Sequence, residues 1–581
     1  MTPSEIFLEL LKPDGKPERQ LKQYEATQIL FDDPASVYLN KDKQRGTTSV
    51  DRFGTTILFP EDAPGSTPLI TEENKVCKDI THWRDYVHAP DLWGMVGDDE
   101  AGWAHARAEA EEIRSQGKLV TSLMGTGIFE ECHFLMGFED TLTNLYEHPR
   151  EMHELIDYIL DYRLSYVQLL IEKLHPDVIL SHDDWGAKNS LFMKPDMWRA
   201  FYKEPYRKFY GYIRSQNVIA IHHGDSYMAP IILDMAEIGI QCWQGVLPEN
   251  NIPALQEQLR GRMALMGGIG AAIDRADSTE EEISSYVWKV LEEDCPRGHF
   301  IPCITYGVAG TVFPHVDPVI DRTIDEYNET LHMRSYRPVN PPRRVRQTAA
   351  PAVHVSAAES SVETGESLLE KLAVALQKGQ KKRVLKLCQD GLDAGIPAQD
   401  LLSRGLVEGM SRLGDDFSAN RAFVPEMLMA ARCMTAATDI LKPYLVGDAA
   451  VSAGRVCLGT VHGDLHDIGK NLVKIMMEGS GLEVIDLGND VPAETFVDTA
   501  VEKNCDIIAC SALLTTTMPE MRKVVELTKE RGIRDNVIIM IGGAPITQSY
   551  CDEIGADIYT PDAAAAAKAA VAALEAEKAS A

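Results

Sequence analysis

The sequence is poor in cysteine and contains no C-x-x-C pair: 11 cysteines are scattered over 581 residues. A small secreted scaffold held by disulfides is therefore excluded, and we interpret the cysteines as reduced thiols of a cytoplasmic protein. The N-terminus also lacks the basic stretch and apolar run of a secretory signal. No run approaches the roughly 18 apolar residues that a membrane span requires.

Positive charge is scarce as well. The chain carries 57 Lys and Arg against 88 Asp and Glu, for a net charge of −31. Phosphate groups would be repelled, so the composition argues against nucleic acid and anionic membranes as partners. The hydrophobic content of 45% is ordinary for a globular protein. The length exceeds what one core usually supports and predicts two or three domains.

The pattern along the chain divides it into three domains and a linker. Residues 337–361 are rich in Pro, Ala and Ser, have no apolar periodicity and are typical of a linker. Residues 1–336 alternate short apolar runs with helical segments, which predicts a (β/α)8 TIM barrel. Residues 362–447 are helical and predict a four-helix bundle. Residues 448–581 contain five short β-type runs and predict a doubly wound, parallel, Rossmann-like α/β domain.

Polar residues that end apolar runs are the candidate site residues, because both α/β folds bind ligands at the carboxyl ends of their strands. Predicted barrel strands include Leu119–Leu123, Asp177–Ser181, Val218–His223, Met263–Met266 and His299–Thr305. Predicted barrel helices include Pro149–Leu174 and Ile252–Leu259.

The first strand of the C-terminal domain ends in a loop that contains Asp464, His466 and Gly469. His466 supplies an imidazole nitrogen suited to a transition metal, and Asp464 can hold the other ring N–H. Gly469 lets the following helix begin close to a bulky ligand, and Gly542 and Gly543 remove side chains where a ligand tail must pass. The spacing therefore predicts a site for a large, metal-containing ligand.

The full spacing is D-x-H-x-x-G, then 41 residues, S-x-L, 28 residues and G-G. It resembles the base-off/His-on corrinoid-binding domain of cobalamin-dependent methyltransferases and mutases. The resemblance implies that the chain binds cobalamin with His466 as the lower cobalt ligand and Asp464 tuning it. It also implies that the nucleotide tail is lined by Ser511, Leu513, Thr515, Gly542 and Gly543. The alternative is a flavodoxin-like domain with an ordinary polar loop.

The helical segment before this domain resembles the cap that shields cobalt in methyltransferase corrinoid proteins. The resemblance implies that Phe417, Met427 and Met429 cover the cobalt. Taken without the neighbouring domain, the same side chains are more typical of a bundle core.

Three strand ends in the barrel carry polar residues: His182-Asp183-Asp184, His222-His223-Gly224-Asp225, and the stretch with Cys303 and Tyr306. Residues 140–330 resemble the uroporphyrinogen-decarboxylase-like superfamily, especially its corrinoid-dependent methyltransferases. Thiol-methylating members carry H-x-C on this strand and a later cysteine, which bind zinc. The cysteine is absent from the second strand end here, which argues against a thiol acceptor.

Two interpretations of the barrel site stay open. Either His223, Asp225 and Cys303 bind zinc with an open position, or the site is a polar substrate pocket without metal. Because side chains alternate along a strand, only one of His222 and His223 is expected to line the pocket.

These features predict a corrinoid-dependent methyltransferase that takes a methyl group from a small methylated donor onto its own cobalamin, with an O-methyl compound favoured. The alternatives are a methyl halide, thioether or amine donor, or a non-catalytic corrinoid carrier or sensor. The predicted catalytic residues are His223, Asp184, Asp183, His182 and Tyr306. The candidates for an aromatic donor pocket are Trp185, Tyr227, Trp243 and Tyr306, although aromatic side chains at strand ends are as often structural.

The predicted cycle needs partners, because the methyl group must leave again and reduced cobalt is prone to oxidation. We expect a second methyltransferase that acts on tetrahydrofolate or a similar acceptor, and a reductive activase. The resemblance also implies a homodimer formed through the barrel.

Overall fold

The computed structural model describes residues 1–59, 66–304, 312–333, 365–444, 454–464, 468–512, 517–543 and 546–580. The predicted linker at 337–361 and four predicted site residues, Tyr306, His466, Leu513 and Thr515, lie outside these ranges. Within the described part of the chain, every helix is too short or too polar to cross a membrane.

Ten strands lie in the described part of the N-terminal region. They are β1 Thr27–Leu30, β2 Thr47–Val50, β3 Thr56–Phe59, β4 Thr67–Pro68, β5 Leu119–Met124, β6 Val178–His182, β7 Ile219–His223, β8 Cys242–Val246, β9 Ala264–Ile269 and β10 Phe300–Ile304. Strands β2 to β4 form a small antiparallel sheet. The other seven described strands form one parallel sheet in the order β1-β5-β6-β7-β8-β9-β10.

The parallel sheet closes on itself. Ile29 of β1 packs against an interior cluster that contains Ile301 of β10 together with Leu180 and Ile221 from the middle strands. Side chains of the first and last described strands can meet in this way only if the sheet curls into a barrel whose interior is filled. The predicted TIM barrel is confirmed.

Helices surround this barrel. They are α1 Pro3–Leu10, α2 Pro34–Asn40, α3 Leu92–Val96, α4 Glu100–Ser115, α5 Ile128–Met136, α6 Phe138–Glu147, α7 Pro149–Leu174, α8 Pro195–Trp198, α9 Glu204–Ser215, α10 Ile232–Glu237, α11 Ile252–Leu259, α12 Glu280–Asp294 and α13 Val316–Met333. The bounds of α7 and α11 agree with the prediction. Helix α7 begins at a proline and ends before His175, which adopts a left-handed conformation with φ of 55°.

The helical region forms the predicted bundle. Its helices are α14 Gly365–Gln377, α15 Lys381–Asp393, α16 Ala398–Asp400, α17 Glu408–Ser418 and α18 Val424–Leu441. A π-helical segment, Leu401–Val407, joins α16 to α17, so the region has four helical rods. We call these four rods the cap.

The C-terminal region is a five-stranded parallel sheet, as predicted, and its strand order is β12-β11-β13-β14-β15. Its strands are β11 Arg455–Val461, β12 Glu483–Val491, β13 Ile507–Ser511, β14 Ile538–Gly542 and β15 Ile558–Tyr559. Its helices are α19 Ile468–Gly479, α20 Ala493–Lys503, α21 Met518–Glu530, α22 Gln548–Ile554 and α23 Ala563–Ser580.

The cap contacts both other domains. Helix α18 packs against α19 of the C-terminal domain and against α6 of the barrel. Arg432 of α18 pairs with Asp140 at 3.0 Å and Glu147 at 3.3 Å. Glu426, at the start of α18, pairs with Lys194 of the barrel loop after β6 at 2.9 Å.

Candidate functional site

Three neighbouring strands of the C-terminal sheet end in small residues at its carboxyl edge. Thr460, Ser511 and Gly542 lie side by side in register at the ends of β11, β13 and β14. This is the edge at which open parallel sheets bind their ligands.

Asp464 holds the loop that leads to His466. Its side chain is fully buried, and its carboxylate accepts a hydrogen bond of 2.9 Å from Thr517 Oγ1. Its backbone carbonyl accepts from the N–H of Asp490 at 2.9 Å. A carboxylate fixed in this way is suited to hold the ring of a neighbouring histidine.

Two glycines at this edge have different surroundings. A Cβ atom at Gly469 would meet nothing within 4 Å, so the start of α19 faces open space. Gly543 has a φ of +134°, and a Cβ there would lie 1.8 Å from the carbonyl oxygen of Ala512. No other residue can follow β14 so closely. Asp464, Ser511, Gly469 and this glycine pair are the described residues that would hold a corrinoid.

Of the cap methionines predicted to cover the cobalt, one lies inside the bundle and the other lies against the turn between α14 and α15. Met427 is fully buried, and Met429 packs against the turn at Gly379, where a Cβ would lie 2.6 Å from its Cβ. The methionines at the boundary with the C-terminal domain are Met410, which packs on Gly479, and Met476, which packs on Gly414. The role of Met427 and Met429 at the cobalt stays a prediction.

A second polar cluster lies in the mouth of the barrel, at the carboxyl ends of the strands. His182 ends β6, Asp184 follows it in the loop, and Glu130 lies in the first turn of α5. The Nδ1 atom of His182 lies 2.8 Å from Glu130 Oε2, and its Nε2 atom lies 3.8 Å from Asp184 Oδ2. One ligand atom from each residue lies within 4.8 Å of the others, the only such group of His, Cys, Asp and Glu among the described residues.

The charges of this cluster depend on one another. Burial alone would lower the pKa of His182, but Glu130, Asp184 and Asp225 together raise it to about 10. Burial would likewise raise the pKa of Glu130, but His182 and His133 hold it at about 2. Burial and the neighbouring Asp225 raise the pKa of Asp184 well above its ordinary value. An imidazolium next to a carboxylate is therefore the stable form at neutral pH.

The two adjacent histidines of β7 face opposite sides, as alternation predicts. His223 lies over the ring of His182, with centroids 5.0 Å apart, and its Nδ1 is 3.1 Å from Gln244 Oε1. His222 lies behind the sheet, stacked on Trp185 at 4.2 Å and within 2.8 Å of Tyr210 OH. Only His223 belongs to the barrel mouth.

The predicted zinc ligands His223, Asp225 and Cys303 do not form a ligand cluster, and this prediction is corrected. Cys303 is buried in the apolar interior of the barrel with Ile221 and Cys242. Asp225 is exposed. The reason is the direction of the side chains. Cys303 points into the barrel on the same face of β10 as Ile301 and meets apolar neighbours there. The spacing of residues in the sequence did not reveal this direction.

Two of the candidate pocket aromatics, Trp185 and Trp243, have the structural role that was the alternative. Trp185 and Trp243 are fully buried, and their indole N–H groups donate to Asp183 at 3.0 Å and to the carbonyl of Gly224 at 2.8 Å. They support the loops after β6 and β7 from below. They do not line the barrel mouth.

Asp183 is a positioning residue. It is fully buried, and its carboxylate accepts from the backbone N–H groups of Phe129 at 3.0 Å and Glu130 at 2.9 Å. Trp185 Nε1 and Tyr206 OH donate to it as well. A carboxylate at the amino end of α5 also interacts favourably with the helix dipole, so Asp183 fixes the position of Glu130.

Replacing Asp183 with asparagine is expected to destabilise the barrel by about 3 kcal/mol. The reason is that the NH2 group of the asparagine would face N–H and O–H groups that now donate to the buried carboxylate. The measurement is the denaturant midpoint of the barrel's unfolding transition. Asp157→Asn is the control, since this carboxylate is exposed on α7 and its loss should change the free energy of unfolding by less than about 0.5 kcal/mol. Equal midpoints for the two variants would contradict the positioning role.

Glu130 was missed by sequence reasoning. It follows β5 after the loop Gly125-Thr126-Gly127, so the rule that polar residues at strand ends form the site would have found it. Its contact with His182 across 52 residues depends on the pairing of β5 with β6.

Known proteins match each region of the chain. Residues 454–571 and 368–442 match two family models, each described as a B12 binding domain. Residues 116–312 match the model for uroporphyrinogen decarboxylase. Dimethylamine corrinoid protein 1 of Methanosarcina acetivorans is 44% identical over 202 residues, which cover 35% of this chain and 94% of that protein. Trimethylamine corrinoid protein 1 of the same organism is 40% identical over 196 residues, which cover 33% of this chain and 91% of that protein.

Among solved structures, a cobalamin-binding protein from Desulfitobacterium hafniense is similar, with 33% identity and a TM-score of 0.32. The similarity covers 35% of this chain and 96% of that protein.

The fold and the two sites define a fusion of a uroporphyrinogen-decarboxylase-like barrel with a capped, corrinoid-binding module. The chain belongs to the family of corrinoid proteins, because it spans nearly the whole of relatives that are 44% identical to it. Its cofactor is a corrinoid.

Proposed function

We propose that this chain is a corrinoid-dependent methyltransferase whose barrel binds a small O-methyl compound and whose C-terminal module takes up the methyl group. The observation that carries the proposal is the Glu130–His182–Asp184 cluster in the mouth of a barrel fused to a corrinoid module. A barrel that served only as a scaffold would not need a buried, charged cluster at its ligand-binding end.

The chemistry of an O-methyl donor matches this cluster. When bound, the corrinoid supplies the nucleophile that accepts the methyl group. The C–O bond breaks and its electron pair stays on the oxygen, which therefore needs a proton or a cation. His182, held by Glu130 through Nδ1 at 2.8 Å, is placed to give that help through its other nitrogen. A halide leaves without such help.

The contacts of the cap support transfer within one chain. The loop after β6 carries both Asp184 of the cluster and Lys194, which pairs with Glu426 of the cap at 2.9 Å. The barrel mouth and the cap are thus connected by one short loop. Arg432 of α18 adds to this contact through its ion pairs with Asp140 and Glu147 of the barrel helix α6.

A methylamine is the second candidate donor. The relatives that match the C-terminal part are named dimethylamine and trimethylamine corrinoid proteins. They match only the corrinoid module, whereas donor selection would lie in the barrel. We place O-methyl compounds first for that reason.

The test is the visible spectrum of the purified chain, loaded with cobalamin, reduced and offered one donor at a time. The panel contains a methoxylated aromatic acid, dimethylamine, chloromethane and dimethyl sulfide. We expect the spectrum of the reduced corrinoid to disappear with the methoxylated compound. If methyl iodide, which needs no enzyme, changes the spectrum but no panel member does, the chain is a carrier or sensor.

Two partners follow from the proposed cycle. The methyl group must pass to an acceptor, so we infer a second methyltransferase acting on tetrahydrofolate or a compound of that class. The corrinoid must be returned to its reduced form after accidental oxidation, so we infer a reductive activase.

A further inference from the structure

We propose that strand β12 positions the loop that carries His466, and that Asp490 and Lys470 are the residues through which it does so. Asp490 contacts the loop before His466, and Lys470 fixes the helix that follows it. Neither residue belongs to the spacing that predicts the corrinoid site. The inference rests on His466 as the predicted cobalt ligand, and it does not depend on the identity of the methyl donor.

The pairing of β12 with β11 is irregular at this end of the sheet. Leu458 lies opposite Asp486. Val461 lies opposite Val491, so three residue steps along β11 match five along β12. The pairing of β11 with β13 on its other side stays in one register. Bulges are rare between parallel strands and re-aim side chains next to functional sites, and here the extra residues of β12 bring Asp490 to the loop after β11.

Asp490 holds the first part of the loop with its side chain and with its backbone. Its carboxylate accepts a hydrogen bond of 2.7 Å from the N–H of Gly463, and its own N–H donates to the carbonyl of Asp464 at 2.9 Å. Its φ of 54° is a left-handed conformation that most side chains avoid. Such conformations persist where the surroundings impose them, and they are concentrated at functional sites. The two bonds fix the segment that ends two positions before His466.

Lys470 fixes the chain on the other side of His466. It lies in the first turn of α19, and its side chain is only 2% exposed. Its Nζ donates to Asp486 of β12 at 2.6 Å. A cation is unfavourable in the first turn of a helix, and a buried charge is costly without a partner. Helix stability therefore does not explain this lysine, whereas attachment of the start of α19 to β12 does.

The two contacts place the ligand loop between supports on one strand. A loop that is already ordered loses less conformational entropy when its histidine binds the metal. Loss of a residue that supports a metal ligand costs about 10–100-fold in affinity. We expect values near the lower limit for Asp490 and Lys470, because they act through the chain on either side of His466 and not on its imidazole.

The experiment uses the full chain with ¹⁵N-labelled histidines, loaded with cobalamin and reduced to the Co(II) form. The nucleus of the axial nitrogen splits the EPR signal of the cobalt, and the label distinguishes a histidine of the protein from the cofactor's own base. Asp490→Gly tolerates the positive φ but lacks the carboxylate, and Lys470→Met lacks the charge. We expect both variants to lose most of the histidine splitting and to bind cobalamin about 10-fold more weakly.

Each variant has a matched control. Asp490→Asn keeps an oxygen acceptor and a residue type that adopts positive φ. Lys474→Met removes the second lysine of Asp486, which lies 3.3 Å away and is 34% exposed. Both controls should keep the wild-type splitting and affinity.

Wild-type splitting and affinity in both test variants would overturn the proposal. Weaker binding with the full histidine splitting would overturn it as well, because it would show a general loss of structure. If Asp490→Asn behaves like Asp490→Gly, the hydrogen bond to Gly463 is not the cause and the role of Asp490 is excluded. Thermal unfolding of the corrinoid-free chains identifies a variant that does not fold, and the other test variant then decides.

The same measurement on His466→Ala separates this proposal from the assignments on which it rests. If that variant keeps the histidine splitting, His466 is not the lower ligand and the proposal fails with it. If it loses the splitting while Asp490→Gly and Lys470→Met keep theirs, only the role of β12 fails. No readout uses a methyl donor, so the proposed function is tested separately.

Discussion

Replacing His466 with alanine is expected to release the corrinoid from the purified protein and to change the visible spectrum of what remains bound. The resemblance implies that this imidazole is the lower cobalt ligand. Removing even an indirect support of a metal ligand costs about 10–100-fold in affinity, so loss of the ligand itself should cost at least the upper value. The fold should survive, because the loop that carries His466 is anchored by Asp464 and Thr517.

His462→Ala is the matched control for this experiment. His462 lies in the same loop, is exposed, and pairs with Asp490 at 2.7 Å, so its loss should leave the spectrum unchanged. Asp464→Asn should fall between the two, since it affects the cobalt only through His466. An unchanged spectrum in the His466 variant would remove this residue from the lower ligand position.

Replacing His182 with glutamine is expected to slow methylation of the corrinoid by the donor about 100-fold or more. Glutamine keeps the approximate volume but offers neither an imidazolium proton nor a strong metal ligand. The rate is measured as disappearance of the reduced corrinoid spectrum after donor is added. Methyl iodide should react at the wild-type rate, because it does not use the barrel.

His105→Gln is the control for this second prediction. His105 is exposed on α4, outside the barrel mouth, and its replacement should change neither rate. An equal slowing with methyl iodide and with the donor would show that the His182 variant has damaged the corrinoid module. A normal donor rate would exclude His182 from the reaction.

The fold was largely predictable because periodicity is a local property. Helices α7 and α11 have the predicted bounds, since each combines a regular apolar pattern with clear end signals. The parallel, doubly wound character of the C-terminal sheet followed from the alternation of strands and helices, whereas its strand order did not. The corrinoid cofactor was predictable for a related reason: the motif that points to it consists of fixed spacings along the sequence. The roles of its individual residues stay a prediction.

The barrel site was predicted only in part. The alternation of side chains along β7 correctly separated His223 from His222. The sequence could not show that Cys303 is buried in an apolar interior, nor that Asp183 accepts hydrogen bonds from the backbone of α5. Both depend on which neighbours a side chain meets after the sheet has closed.

The sequence by itself determined that this chain joins a barrel to a corrinoid module. The reason is that strand ends, glycines and the spacing around His466 are patterns that can be recognised along the chain without knowledge of tertiary contacts. Only the tertiary structure decided which polar residues of the barrel act together. Glu130 and His182 are 52 positions apart in the sequence. They meet because parallel strands bring their carboxyl ends to one mouth of the barrel. The direction of each strand side chain there is set by its register in the closed sheet.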